Sequence, residues 1–89
     1  MQQYNVKLTR HSPIGAPEHK DIPVPGRAEA AILIASMVQV LSTLTGVVID
    51  DEQSTHRDAE SETLTIVFVS ELDRTELFRI YAHPIETRH

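Results

Sequence analysis

Apolar and polar residues alternate near the start of the chain, and the alternation predicts a strand from Gln2 to Thr9. Tyr4, Val6 and Leu8 would lie on one face of this strand, with polar residues on the other. Such a pattern is typical of a strand that is buried on one side only. We therefore expect it to line a core.

The longest unbroken pattern follows Gly26 and predicts a helix from Arg27 to Thr45. Gly46 suits the position just past a helix end, where a left-handed backbone is common. Apolar residues spaced i, i+3, i+4, i+7 would face the core: Ile34, Met37, Val38 and Leu41. Others widen this stripe beyond the needs of one core contact: Ile32, Leu33 and Val40. The width predicts a second contact side, for a second copy or another partner.

Two apolar runs in the last third of the chain predict a β-hairpin, preceded by a short strand at Val47–Asp50. If Val69 pairs with Thr75, one face collects the core side chains: Leu64, Ile66, Phe68, Phe78, Ile80 and Ala82. The opposite face then carries an apolar group formed by Val67, Leu77 and Tyr81. This group is either exposed, as at many contact sites, or covered by the proline-rich segment described next.

Four prolines between residues 11 and 26 predict an extended connection, since proline fixes φ and donates no backbone hydrogen bond. We expect the connection to touch a sheet edge near Asp21–Val24. A loop of this length is often functional; the alternative is a spacer that crosses one end of the sheet. The whole chain, residues 1–89, is short enough to be one domain. The element order β-α-β-β-β predicts an α+β fold, with one long helix packed on a small, mostly antiparallel sheet.

Negative charge is concentrated in segment 50–62, which we interpret as a loop. With one arginine, its six acidic residues account for the entire net charge of −5: Asp50, Asp51, Glu52, Asp58, Glu60 and Glu62. The segment is open to three interpretations: a solvated loop, a hard-metal site, or a recognition loop that faces a basic partner. It has no glycine and lacks the ligand spacing of an EF-hand loop, which disfavours the metal site.

Residues able to carry catalysis or hold a cofactor show no recognised arrangement. The chain has no cysteine, its five histidines lack zinc-site spacing, and its three glycines form no phosphate loop. We therefore predict no enzyme activity, no cofactor and no metal. The eight lysines and arginines are scattered, so direct binding to nucleic acid is not expected.

The compartment follows from the same composition. The first ten residues contain no apolar stretch of the kind found in a signal peptide. Polar residues interrupt the predicted helix too often for a membrane span. Together with the missing cysteines, these features predict a cytoplasmic protein without membrane contact.

These features together predict a small acidic protein–protein interaction module, an inhibitor or adaptor that binds a basic surface of another protein. In size, charge and class the chain resembles short acidic α+β proteins of phages and mobile elements, including anti-CRISPR inhibitors and nuclease-immunity proteins. The resemblance implies that segment 50–62 occupies a basic channel that otherwise holds nucleic acid. The predicted partner-binding residues are the six acidic residues of this segment with Val67, Leu77 and Tyr81. The alternative is a homo-oligomeric structural or regulatory subunit, such as a homodimer, without an electrostatic partner.

Overall fold

The computed structural model describes residues 3–54 and 63–85. Its elements are β1 (Gln3–Arg10), β2 (Glu18–Val24), α1 (Arg27–Ser42), β3 (Val47–Ile49), β4 (Leu64–Ser70) and β5 (Glu76–Ile85). The strands form one antiparallel sheet in the order β2-β1-β5-β4-β3, and α1 packs on one of its faces. This architecture confirms the predicted α+β fold.

Alternate side chains of the three central strands build the core beneath α1. Val6, Phe68 and Ile80 are fully buried, one from each of β1, β4 and β5. From α1 the buried residues are Ala30, Ile34 and Leu41, with Met37 and Val38 packed partly against the same cluster. The predicted core face of the hairpin and the predicted helix stripe are thus both confirmed.

The β4–β5 hairpin has a different register from the predicted one. Val69 lies opposite Glu76 rather than Thr75, and Phe68 lies opposite Phe78. The pairing shifts between Phe68 and Val69, where an irregularity of the β-bulge kind interrupts the ladder. At Phe68 the observed pairing differs from the predicted pairing by an even number of residues. Because side chains alternate between the two faces, Phe68 and its neighbours stay on the predicted face.

The proline-rich connection forms a strand, β2, that the predicted element order did not include. β2 runs antiparallel to β1 at the sheet edge, with Ile22 opposite Val6. Pro23 is tolerated there because an edge strand leaves one side without a hydrogen-bonding neighbour. The expected contact between Asp21–Val24 and the sheet edge is therefore confirmed, and it extends back to Glu18.

Helix α1 ends at Ser42, earlier than the predicted Thr45. The Thr43 hydroxyl donates to the Val40 carbonyl at 2.6 Å, and the Thr43 N–H donates to the same oxygen at 3.2 Å. A threonine that bonds the preceding turn in this way competes with further helix. The chain then turns into β3 at Gly46, whose φ of +81° is readily available to glycine.

Helix α1 carries the chain from β2 at one sheet edge to β3 at the other. Its 16 residues rise about 24 Å, and five strands place the two edges about 19 Å apart. A single span therefore covers one face, and the opposite face, here called the helix-free face, has no helix among the described residues. In residues 3–54 and 63–85, no helix has the length and apolar character needed to cross a membrane.

Replacing Phe68 with alanine is expected to lower the free energy of unfolding by about 3–5 kcal/mol, because it empties the centre of the core. The total free energy of unfolding of a domain is typically about 5–15 kcal/mol. The urea midpoint of Phe68→Ala should therefore fall sharply. Leu72→Ala is the control, since Leu72 is 96% exposed and its loss should cost less than about 0.5 kcal/mol. Equal midpoints for the two variants would contradict the assigned core.

Candidate functional site

Asp50 opens the acidic segment, but it is only 5% exposed. Its carboxylate accepts hydrogen bonds from the Glu52 N–H at 3.0 Å and the Gln53 side-chain amide at 2.6 Å, and Arg74 lies 3.5 Å away. The bond from Gln53 is the largest influence on the pKa of Asp50 and lowers it; burial acts in the other direction but is outweighed. Asp50 therefore holds the turn after β3 together and offers little charge to a partner.

The turn at residues 50–54 lies along the backbone of β4. The Asp50 N–H donates to the Val67 carbonyl at 2.9 Å, and the Val67 N–H donates to the Ser54 hydroxyl at 3.0 Å. The side chain of Val67 is fully buried. The sequence left open whether Val67 is exposed or covered. The structure shows that it is covered, so Val67 contributes no apolar surface to a contact site.

Two predicted acidic residues within the described ranges remain accessible. Asp51 and Glu52 are both exposed, and no ion pair of the described residues involves either carboxylate. The other predicted acidic residues, Asp58, Glu60 and Glu62, lie outside the described residues. Asp51 and Glu52 are therefore the described part of the acidic segment that could face a partner.

Leu77 and Tyr81 are half-buried and have different surroundings. The Leu77 carbonyl accepts a hydrogen bond from the His11 N–H at 2.9 Å, so the start of the proline-rich segment runs beside it. Tyr81 stacks against His83, with ring centroids 5.4 Å apart and an interplanar angle of 30°. With Val67 buried, the three residues do not form one exposed apolar patch. As partner-binding residues, Leu77 and Tyr81 stay predictions.

The outer side of α1 is apolar and exposed. Ile32 is 68% exposed, Val40 63%, and Leu44, just beyond the helix, 43%; we call these three residues the outer stripe. No charged residue occurs between Ala30 and Ile49. Val40 also borders a cleft of about 250 Å³ between α1 and β1. The width of the apolar pattern predicted a second side of this kind, but none of its residues was among the predicted partner-binding residues.

The helix-free face contains a groove of about 430 Å³ where β2, β1 and β5 lie side by side, here called the sheet groove. Its lining residues are Lys7, Thr9, His11, His19, Glu76, Arg79 and Tyr81. Across the strands, Thr9 lies between His19 and Arg79, and Lys7 lies next to Tyr81. The Thr9 hydroxyl and His19 Nδ1 are 3.0 Å apart and hydrogen-bonded. Neighbouring strands thus bring residues distant in sequence into one polar surface.

Among the described residues, Glu76 is the one carboxylate that lines the sheet groove, and both of its oxygens accept hydrogen bonds. Arg79 Nη2 donates to Oε1 at 2.7 Å, Arg79 Nε approaches Oε2 at 3.4 Å, and His11 Nε2 also bonds Oε2. Burial is the largest influence and would raise the pKa of Glu76, but the hydrogen bonds and charges of Arg79 and His11 lower it overall. Glu76 is therefore ionised at neutral pH and neutralised locally.

The sequence alone did not reveal the sheet groove. Lys7 and Tyr81 are 74 positions apart, and each occurs singly within an alternating strand pattern. The polar positions of the first strand were recognised, but they would identify a site only with the knowledge that β5 pairs with β1. That pairing is not a local property of either segment.

The comparisons with protein-family models, curated proteins and solved structures find no match for this chain. Within residues 3–54 and 63–85, no three histidine, aspartate or glutamate side chains cluster closely enough to hold a metal ion. The candidate surfaces are therefore judged on their own geometry: the turn at residues 50–54, the outer stripe and the sheet groove.

Replacing Asp50 with alanine is expected to destabilise the fold at neutral pH, because the Gln53 and Glu52 donors lose their acceptor. The folded-state pKa of Asp50 lies below its ordinary value of 3.8. The stabilisation is therefore complete above that value and is lost as the pH falls through the folded-state pKa. The urea unfolding midpoint of Asp50→Ala should be lower than that of the native protein at neutral pH. The difference between the two midpoints should become smaller in acid.

Asp51→Ala is the matched control for this pH series, since Asp51 is the adjacent exposed carboxylate. Its midpoint should follow that of the native protein throughout the series. A gap for Asp50→Ala that stays constant on acidification would mean that the carboxylate charge does not support the turn.

Proposed function

We propose that this protein is a small, non-enzymatic protein–protein interaction module, an inhibitor or adaptor that occupies part of another macromolecule. The observation that carries the proposal is the outer stripe on a stretch of chain without charged residues. Exposed apolar surface with a polar border is typical of contact sites. Here the flanking charges are Arg27 and Glu29 at the start of α1.

Apolar anchors supply most of the binding energy in this proposal. Full burial of a side chain such as Ile32 or Val40 is worth about 1.5–3 kcal/mol, and both are more than half exposed in the free chain. The cleft beside Val40 can receive an apolar side chain from the partner. Pairing of an anchor with a pocket is the usual arrangement at the centre of an interface.

The acidic segment has a supporting role in the same proposal. Asp51 and Glu52 are exposed and unpaired among the described residues, and the whole chain carries a net charge of −5. Such charge favours a partner with a basic surface, mainly by raising the association rate and excluding acidic partners. The proposed partner is therefore a protein that presents an apolar contact site and also a basic surface.

Self-association is the second candidate function, and the same stripe favours it. A surface without charge can pair with its own copy in a two-fold contact without like-charge repulsion. In that case the protein is a homodimeric structural or regulatory subunit, and the acidic segment is solvated surface.

Replacing both Ile32 and Val40 with glutamate is expected to abolish association, because each change places a charge in a desolvated contact. A loss of about 2 kcal/mol or more per position is typical of central anchors. The measurement combines sedimentation velocity of the purified protein with affinity capture from host lysate, followed by mass spectrometry. A dimer lost in the double variant favours the homo-oligomer, and a heterologous partner lost in it favours the inhibitor or adaptor.

The matched control is Leu72→Glu, which adds the same charge at another exposed leucine, distant in sequence from the outer stripe. It should leave every association intact. Association that is unaffected by the double variant, or equally reduced by the control, would contradict the role of the outer stripe.

Neutralising Asp51 and Glu52 together, as Asp51→Asn with Glu52→Gln, is expected to slow association with a basic partner and weaken its salt dependence. Asp50 is left unchanged because its carboxylate supports the turn. The association rate is measured by surface plasmon resonance at low and moderate salt. Rates equal to those of the native protein at both salt concentrations would remove the electrostatic part of the proposal.

A further inference from the structure

The sheet groove has the size of a small-ligand site, with a lining that is mostly polar. Its volume of about 430 Å³ lies within the range of roughly 300–1,000 Å³ that is usual for such sites. Three strands contribute to it, so its residues are held by the ladder pairing of the sheet. The groove therefore exists without any rearrangement of the described elements.

The described lining of the sheet groove contains more cationic than anionic side chains, although the protein as a whole is acidic. Lys7 and Arg79 line it together with a single carboxylate, Glu76, whose oxygens are both occupied by Arg79 and His11. Arg79 is thereby paired, and Lys7 is the cation of the described lining that forms no ion pair. A cation of this kind attracts anions locally although the protein carries a net charge of −5.

Lys7 has no ion-pair partner within the described part of the chain. The nearest carboxylate across the strands belongs to Asp21, which lies opposite Lys7. Asp21 instead accepts a hydrogen bond from the Asn5 side chain at 2.9 Å. Asp21 keeps its negative charge, but no ion pair joins it to Lys7 among the described residues, so the ammonium donors of Lys7 are available to a ligand.

The groove also offers hydrogen-bonding groups and an aromatic wall. Tyr81 is the cross-strand neighbour of Lys7, and its ring is held by stacking on His83. Its hydroxyl can donate to an anion, and the face of its ring can cover a planar or apolar part of a ligand. His19, bonded to Thr9 through Nδ1, has its other ring nitrogen left for a further contact.

We propose that the sheet groove binds a small organic anion, with a carboxylate or phosphate group held by Lys7 and a planar or apolar part held against Tyr81. A nucleic-acid strand fits less well, because successive phosphates need several free cations and Arg79 is already paired with Glu76. The ligand is therefore a single small molecule. Its site lies on the opposite side of the sheet from the outer stripe, so the inference is independent of the proposed function.

The test is an NMR titration of backbone amides with phenyl phosphate and, separately, with benzoate, using benzyl alcohol as the neutral analogue. Saturable shifts are expected at Lys7, Thr9, Arg79 and Tyr81 at millimolar concentrations, with no comparable change for benzyl alcohol. The tighter of the two anions identifies the preferred group, phosphate or carboxylate. Absence of saturable shifts with both anions would overturn the proposal.

Lys7→Gln is expected to weaken binding by about tenfold or more, because it removes a charge-assisted hydrogen bond. Lys7→Arg keeps the charge and should retain most of the binding, which separates a ligand contact from a loss of folding. Lys20→Gln is the matched control: Lys20 is an exposed lysine of β2 that lies opposite Leu8, on the other face of the sheet. If Lys7→Gln and Lys20→Gln weakened binding equally, the effect would come from the overall charge of the protein, and the proposed contact between Lys7 and the ligand would be contradicted.

A short oligothymidylate titrated under the same conditions distinguishes a nucleic-acid site from a small-molecule site. The proposal expects it to bind no more tightly than phenyl phosphate, since Lys7 is the one lining cation among the described residues that forms no ion pair. Tighter binding at the same amides, with a steep dependence on salt, would overturn the small-molecule assignment.

Discussion

Helix α1 has to carry the chain from one edge of the sheet to the other, and this span governs much of the rest of the structure. The distance across five strands, about 19 Å, is matched by 16 helical residues rising about 24 Å. A helix that crosses the whole sheet can bury only the side that faces it. Ile34 and Leu41 are buried against the central strands, whereas Ile32 and Val40 face outward with nothing over them among the described residues.

The same constraint separates the two candidate surfaces. One helix covers one face, and the polar side chains of β2, β1 and β5 that form the sheet groove lie on the other. The outer stripe lies beyond the helix on the other side of the molecule. A protein bound to the outer stripe and a small anion bound near Lys7 would therefore not compete for space. Any influence of one on the other would have to pass through the β1–β5 pairing and the core beneath α1.

Local periodicity was enough to predict the core stripe of α1, the first strand and the core face of the hairpin, because each pattern lies within one segment. Three features depended on residues far apart. β2 forms because β1 offers it an edge, although Pro23 disfavours a strand. Asp50 was predicted to bind a partner together with the rest of the acidic segment, yet it is buried beside Arg74 and its N–H is bonded to Val67 of β4. The sheet groove requires β5 to lie beside β1, and no local pattern indicates that neighbour.

β5 is the last strand in chain order, yet it lies between β1 and β4. Before β5 joins, the pairs β1–β2 and β3–β4 are connected only through α1, and β1 and β4 each have an unpaired edge. Pairs such as Val6 with Ala82 then have to form across most of the sequence, and such distant pairing slows folding. During synthesis on the ribosome, two open sheet edges and an uncovered apolar helix would persist until Glu76–Ile85 emerges. In that interval the unpaired edges and the exposed apolar surface favour aggregation over completion of the sheet.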